Sequence, residues 1–144
     1  MRRWVTLGAA GLAALLLAAP AWAETPSVAR HVLPNGMTVL VRENPVAPVV
    51  AVSLQVKAGS RFETAETAGI TNLLLRSMVR GSAKRSAVQL AEAAEEIGGS
   101  VDASGEVETA EIRGEALARH WEMLLGLIAE VALEPALAAE GIEQ

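Results

Sequence analysis

The apolar residues of this chain change period along its length, and that change limits the fold more than any other feature. From Val49 to Lys57 they alternate, with Val50, Val52, Leu54 and Val56 on one face and Ala51, Ser53, Gln55 and Lys57 on the other. A period of two is that of a half-buried strand. From Thr67 to Val79 the spacing becomes helical: Ile70, Leu73, Leu74 and Ser77/Met78 fall at i, i+3, i+4, i+7 and i+8. Gly81 ends this helix. Ser86 caps a second one, with the stripe Ala87, Leu90, Ala91, Ala94 and Ile97, which Gly98-Gly99 stops. Residues 100–104 and 107–113 alternate again and can pair through a turn at Ser104-Gly105. A longer helix is predicted from Glu115 to Leu133, on Leu117, Trp121, Leu124, Leu125, Ile128 and Val131/Ala132. Glu134-Pro135 ends it, and Ala138–Gln144 reads as the first turns of another helix.

Ahead of these runs, Asn35-Gly36 sits between apolar segments, a strong short-range turn signal. It predicts a hairpin whose second strand runs from Met37 to Arg42, with Asn44-Pro45 and Pro48 marking its end. Residues 24–29 are polar and contain proline, and read as a loose tail. The order is strand, strand, strand, helix, helix, strand, strand, helix. That is an α+β pattern, helices packed on one face of a mainly antiparallel sheet.

Residues 1–23 stand apart from this fold. Met1-Arg2-Arg3 is basic, the run to Ala19 is apolar, and Ala21-Trp22-Ala23 precedes Glu24. A basic start, a short apolar run and an Ala-x-Ala end describe a secretory signal peptide cleaved after Ala23. The run is shorter than the ~20 apolar residues of a membrane-spanning helix, so no stable membrane anchor is expected. The sequence thus predicts export, to the periplasm or outside the cell, of one domain of residues 24–144.

That domain carries 10 basic and 17 acidic side chains, a net charge of −7, and has no basic block. Nucleic acid is therefore not an expected partner. There is no cysteine, so no disulfide can form even in an oxidising compartment. Only Phe62 and Trp121 are aromatic, so the core must be aliphatic.

Four stretches together resemble the pitrilysin/insulinase family of zinc metallopeptidases, whose zinc motif is inverted. Leu33-Pro34-Asn35-Gly36-Met37-Thr38-Val39 is similar to that family's opening hairpin, and Val56-Lys57-Ala58-Gly59-Ser60-Arg61 to the end of its next strand. Ala68-Gly69-Ile70 and Gly81-Ser82, followed by Arg85-Ser86, bracket its motif helix. Ile97-Gly98-Gly99-Ser100-Val101-Asp102-Ala103 resembles its mid-domain turn into a strand. The resemblance covers nearly all of residues 24–144 and implies part of an N-terminal peptidase-like domain.

The family's chemistry rests on H-x-x-E-H on that helix. The two His, at i and i+4, share one zinc, and the Glu serves as general base for the zinc-bound water. Aligned through Ala68-Gly69 and Gly81, those positions fall on Asn72, Leu75 and Arg76. An amide is a poor ligand beside imidazole, an alkyl chain accepts no proton, and a guanidinium places a cation where Zn²⁺ would sit. The resemblance therefore implies a catalytically degenerate copy, with no zinc expected although active members carry it. The family's further Glu ligand is expected beyond Gln144, so the chain reads as a fragment.

Other constellations are weaker. His31 and His120 are the only histidines and are far apart in sequence. Glu92, Glu95, Glu96, Glu106, Glu108 and Glu111 lack the spacing of a calcium loop and read as solvated faces; of these, Glu108 and Glu111 are candidates to contact a peptide. Arg76, Arg80, Lys84 and Arg85 form a basic cluster that complements the helix dipole. Arg76 could instead pair with a carboxylate in the vacated metal site. Degenerate copies in this family resemble partner halves, so the expectation is a non-catalytic, substrate-binding half. Its partners would be peptide and an active metallopeptidase subunit or second domain. The alternatives are a truncated remnant with no independent function, or a zinc metalloendopeptidase active in its own right.

Overall fold

The computed structural model describes residues 28–137. The expected leader, residues 24–27 and the helix expected at Ala138–Gln144 lie outside the described residues. The chain divides into two compact units, Met1–Pro45 and Val46–Gln144.

In the first unit, β1 (Val28–Val32) pairs antiparallel with β2 (Thr38–Arg42), Val28 opposite Arg42 and Val32 opposite Thr38. The Gly36 amide donates to Leu33 O at 2.9 Å, and Gly36 takes φ +85°, a conformation glycine adopts without cost. Asn35 Oδ1 accepts from the Met37 amide at 3.0 Å and closes the turn. β1 begins inside the segment expected to be a loose tail, because its backbone has a partner strand that a local reading does not show. His31 lies within β1, opposite Val39.

The second unit opens with β3 (Val49–Val56), the strand its alternation predicts. Two further strands, β4 (Ser100–Gly105) and β5 (Ala110–Leu117), complete an antiparallel sheet of order β3-β5-β4. Val52 and Val101 both pair with Gly114, which fixes the register. One face carries Val50, Val52, Leu54, Val101, Ala103, Ile112 and Ala116, all packed in the core. The other presents Ser53, Asp102, Arg113 and Glu115 to solvent. Three helices cover the apolar face: α1 (Ile70–Met78), α2 (Ala87–Glu96) and α3 (Trp121–Leu133). α1 and α2 pack on β4, α3 on β5 and β3. This is the α+β architecture expected from the sequence.

The core is aliphatic. Ile97, Leu124 and Val131 are fully buried among Leu90, Ala94, Leu127 and Ile128. Each such side chain contributes about 1.5–3 kcal/mol through burial. α2 has the expected Ser86 cap as a full capping box with Gln89, their side chains and amides bonding reciprocally. It ends in a Schellman turn: Gly98 (φ +71°) donates to Glu95 O and Gly99 to Ala94 O.

Three expectations change. The turn between β4 and β5 falls at Glu106–Thr109, where the Glu106 amide donates to Thr109 O at 2.8 Å, not at Ser104-Gly105. Glu115–Leu117, expected to be helix, continues β5, because the ladder to β3 runs the full eight residues to Val49↔Leu117. A short 3-10 turn, Ala118–His120, then leads into α3, so His120 precedes the helix instead of lying on it. Finally, α1 starts at Ile70, not Thr67, and its expected apolar stripe is divided: Ile70, Leu73 and Leu74 are 55%, 45% and 45% exposed, whereas Ser77 is buried and Met78 packs against the core. Leu75, outside that stripe, is also buried. Among the described residues no helix is long and apolar enough to cross a membrane.

Candidate functional site

The position of α1 is set by the loop before it. A Cβ at Gly59 would lie 2.5 Å from Val107 O, so only glycine lets this loop lie so close against the β4–β5 turn. The Ser60 and Arg61 amides donate to Glu106 O and Val107 O, and Arg61 Nη1 pairs with Glu108 at 2.5 Å. Glu63, next in line, reaches forward to the helix. Its carboxylate accepts from the Gly69 amide at 2.7 Å and the Thr71 amide at 2.9 Å. It thereby satisfies first-turn donors that the N-cap Gly69, in the left-handed conformation (φ +92°), cannot bond with a side chain. The Thr71 side chain first, then the Gly69 and Thr71 amides, hold the Glu63 carboxyl below the ordinary glutamate value.

A second anchor holds the other end of α1. Glu130 of α3 is buried and accepts hydrogen bonds from Ser82 Oγ and Arg85 Nη1. Ser82 Oγ in turn accepts from the Lys84 and Arg85 amides at 3.0 and 2.9 Å. Lys84 pairs with Glu134 at 2.8 Å. Burial raises the Glu130 pKa, but the bonds from Ser82 and Arg85 and the charges of Arg85 and Lys84 outweigh it, leaving the carboxyl below its ordinary value. The loop after α1 is therefore tied to α3. The basic cluster read from sequence divides here: Lys84 and Arg85 bind carboxylates, while Arg76 and Arg80 have no ion pair among the described residues.

Between these anchors lie Asn72, Leu75 and Arg76, the residues that the sequence resemblance sets against the zinc motif. Asn72 and Arg76 are exposed, one turn apart, and Leu75 is 4% exposed. A Cβ at Gly105 would lie 3.1 Å from both Asn72 Oδ1 and Leu75 Cδ1, so α1 rests directly on the end of β4. Among the described residues β4 is an edge strand of its sheet. An amide, an alkyl chain and a guanidinium do not suit a zinc ion, which takes imidazole, thiolate or carboxylate ligands. Among the described residues no three His, Cys, Asp or Glu side chains converge on a point that could hold a metal. The alternative pairing of Arg76 with a carboxylate is not seen among the described residues; Arg85, in the loop after α1, pairs with Glu130.

The two candidate peptide contacts fall elsewhere. Glu108 sits in the β4–β5 turn and is engaged by Arg61. Glu111 lies on the polar face of the sheet, opposite the face α1 covers, and accepts from Ser53 Oγ at 2.5 Å. It helps line a shallow 300 Å³ cleft with Ser100, Asp102, Ser104, Arg113 and Glu115. Sequence reading missed Glu63 and Glu130. The first caps across an intervening loop, and the second meets partners 45 and 48 residues away.

Residues 38–144 match the insulinase family, peptidase family M16. An "Uncharacterized zinc protease" of Rickettsia felis is 34% identical over 110 residues, 76% of this chain and 27% of its own length. The "Uncharacterized zinc protease YmxG" of Bacillus subtilis is 30% identical over 72% of this chain and 25% of its own. The "Probable mitochondrial-processing peptidase subunit beta, mitochondrial" of Arabidopsis thaliana is 30% identical over 75% of this chain and 20% of its own. The chain spans about a quarter of the length of the curated relatives it matches. With a match over most of its length, and the hairpin, strand and motif helix in family order, this chain belongs to the insulinase family of peptidases.

Proposed function

We propose that this chain is a non-catalytic member of its family, exported through a leader at residues 1–23, that binds peptide for an active, zinc-bearing partner half. The observation that carries this reading is the placement of Asn72, Leu75 and Arg76. Aligned through Ala68-Gly69 and Gly81, they fall where active members bear H-x-x-E-H, on a helix held at both ends by Glu63 and by the Ser82–Arg85–Glu130 cluster. The scaffold is kept while its chemical groups are replaced. No residue at these positions can accept a proton from water or bind zinc tightly.

What the arrangement still offers is backbone. The open edge of β4 runs beside α1, and an extended peptide can add to such an edge by main-chain hydrogen bonds. That a relative bears the name of a peptidase subunit supports a two-part assembly. The test is reconstitution. Purified chain is mixed with a fluorogenic peptide, alone and with a family member that carries an intact H-x-x-E-H. Cleavage that the chain increases only in the presence of that partner supports the reading. Cleavage by the chain alone, abolished by a chelator, overturns it.

A further inference from the structure

The chain has three asparagines, and they are followed by Gly36, Pro45 and Leu73. Asparagine is thermolabile because the backbone nitrogen of the next residue can attack its side-chain carbonyl and close a five-membered imide. The residue that follows therefore decides the chemistry. Pro45, after Asn44, has no N–H and offers no such nucleophile. Leu73, after Asn72, donates its amide to Gly69 O at 3.0 Å within α1, so the helix must unwind to free it.

Gly36 differs on each count. It keeps its N–H and carries no side chain, and a Cβ built there would meet nothing within 4 Å, so the space around it is open. Asn35, Gly36 and Met37 are all exposed. The Gly36 amide donates to Leu33 O at 2.9 Å, a single bond within a turn. That turn joins two strands, of which β1 is exposed at every residue, and a two-stranded hairpin by itself is marginally stable in water. Asn35 Oδ1 accepts from the Met37 amide at 3.0 Å. This bond draws charge from the Cγ carbonyl and favours the oxygen that becomes anionic during attack. Nucleophile and electrophile are neighbours in the chain, so the reaction needs water and no partner surface.

We propose that Asn35-Gly36 is a self-modification site, converting to aspartate and isoaspartate at position 35. The Gly36 nitrogen gives its proton to hydroxide and bonds to Asn35 Cγ. The Cγ–Nδ2 bond breaks, and Nδ2 leaves as ammonia after taking a proton from water. Water then opens the imide. Cleavage between the Gly36 nitrogen and Cγ leaves aspartate, whose carboxylate can still accept from the Met37 amide and keep the turn. Cleavage between that nitrogen and the backbone carbonyl carbon leaves isoaspartate. Its main chain runs through Cβ and Cγ, one atom longer, and disturbs the register that sets Val32 opposite Thr38. The site thus sets a chemical lifetime on the hairpin, independently of the peptide-binding role.

The test ages the purified chain at mildly alkaline pH, folded and unfolded in urea, and follows each asparagine by peptide mass spectrometry. Isoaspartate is counted by enzymatic methylation. In the folded chain Asn35 should convert within about tenfold of its rate in urea, since one exposed hydrogen bond holds the nucleophile. Asn44 and Asn72 should stay intact over the same time, and Gly36→Ala should slow conversion in both states. Hydrogen exchange at the β1 and β2 amides should match the native chain in Asn35→Asp and be faster in the separated isoaspartate fraction. Asn35 that stays intact in the folded chain after converting in urea overturns the proposal, as does conversion of Asn72 at the same rate. An isoaspartate fraction as protected as Asn35→Asp overturns the lifetime set on the hairpin.

Discussion

Replacing Glu130 tests whether the helix bearing the motif positions is held by a buried ionic cluster. The Glu130 side chain is 7% exposed and that of Arg85 39%. Glu130→Ala removes the acceptor of the Ser82 hydroxyl and the partner of the Arg85 guanidinium. A hydrogen bond to a charged group contributes about 1.5–3 kcal/mol, and breaking a fully buried ion pair costs about 3–5 kcal/mol. Arg85 is partly solvated and recovers some hydration, so the expected loss is about 2–3 kcal/mol. Glu130→Gln keeps an acceptor for Ser82 and loses the charge, with an expected cost of about 1 kcal/mol. Urea denaturation at neutral pH gives these differences from the shift in midpoint at constant slope. The sign of the pH dependence follows from the lowered Glu130 pKa. The stabilisation is present above the ordinary glutamate range and is lost as pH falls through the folded-state value. The gap between the native chain and Glu130→Gln should therefore narrow under acid. A Glu130→Ala chain within about 0.5 kcal/mol of the native one, the range of an ordinary surface substitution, would refute the argument.

Other perturbations follow from the same geometry. Glu63→Ala should speed hydrogen exchange at the Gly69 and Thr71 amides while leaving α3 protected; because the Glu63 pKa is lowered, acid should produce the same fraying in the native chain only below the ordinary glutamate range. Gly99→Ala would set a Cβ 1.7 Å from Glu115 O, a backbone atom, and should abolish cooperative unfolding or soluble expression. Arg76→Leu should leave thermal stability nearly unchanged, because Arg76 holds no ion pair among the described residues; a large loss would restore a structural role for it.

Local pattern was legible wherever one segment decides its own structure. Alternation placed β3, and Ser86 with Gly98-Gly99 placed α2, since caps and pleats are written within a few residues. It failed where a distant partner decides. Glu115–Leu117 fits a helical stripe, but β3 pairs with it and keeps it extended. The stripe of α1 is buried only at its C-terminal end, at Ser77 and Met78, because spacing gives a face and not how far the core extends along it; Thr71, Asn72 and Leu75 approach β4 at Gly105. In α3 the expected stripe included Leu125, which is exposed, and missed Leu127, which is buried. The positions Asn72, Leu75 and Arg76 come from the family resemblance, aligned through Ala68-Gly69 and Gly81. Glu63 and Glu130, which hold the motif helix in place, were not legible, because nothing local marks an acid that acts across a loop or between helices.

The central claim is that Asn72, Leu75 and Arg76 stand where active relatives bind zinc and that they cannot bind it. Zinc per chain, measured by elemental analysis after purification in zinc-containing buffer and dialysis, tests this most directly. The account predicts far less than one zinc per chain, with Asn72→Ala and Arg76→Ala leaving that value unchanged. One zinc per chain, lost on either substitution, would contradict it.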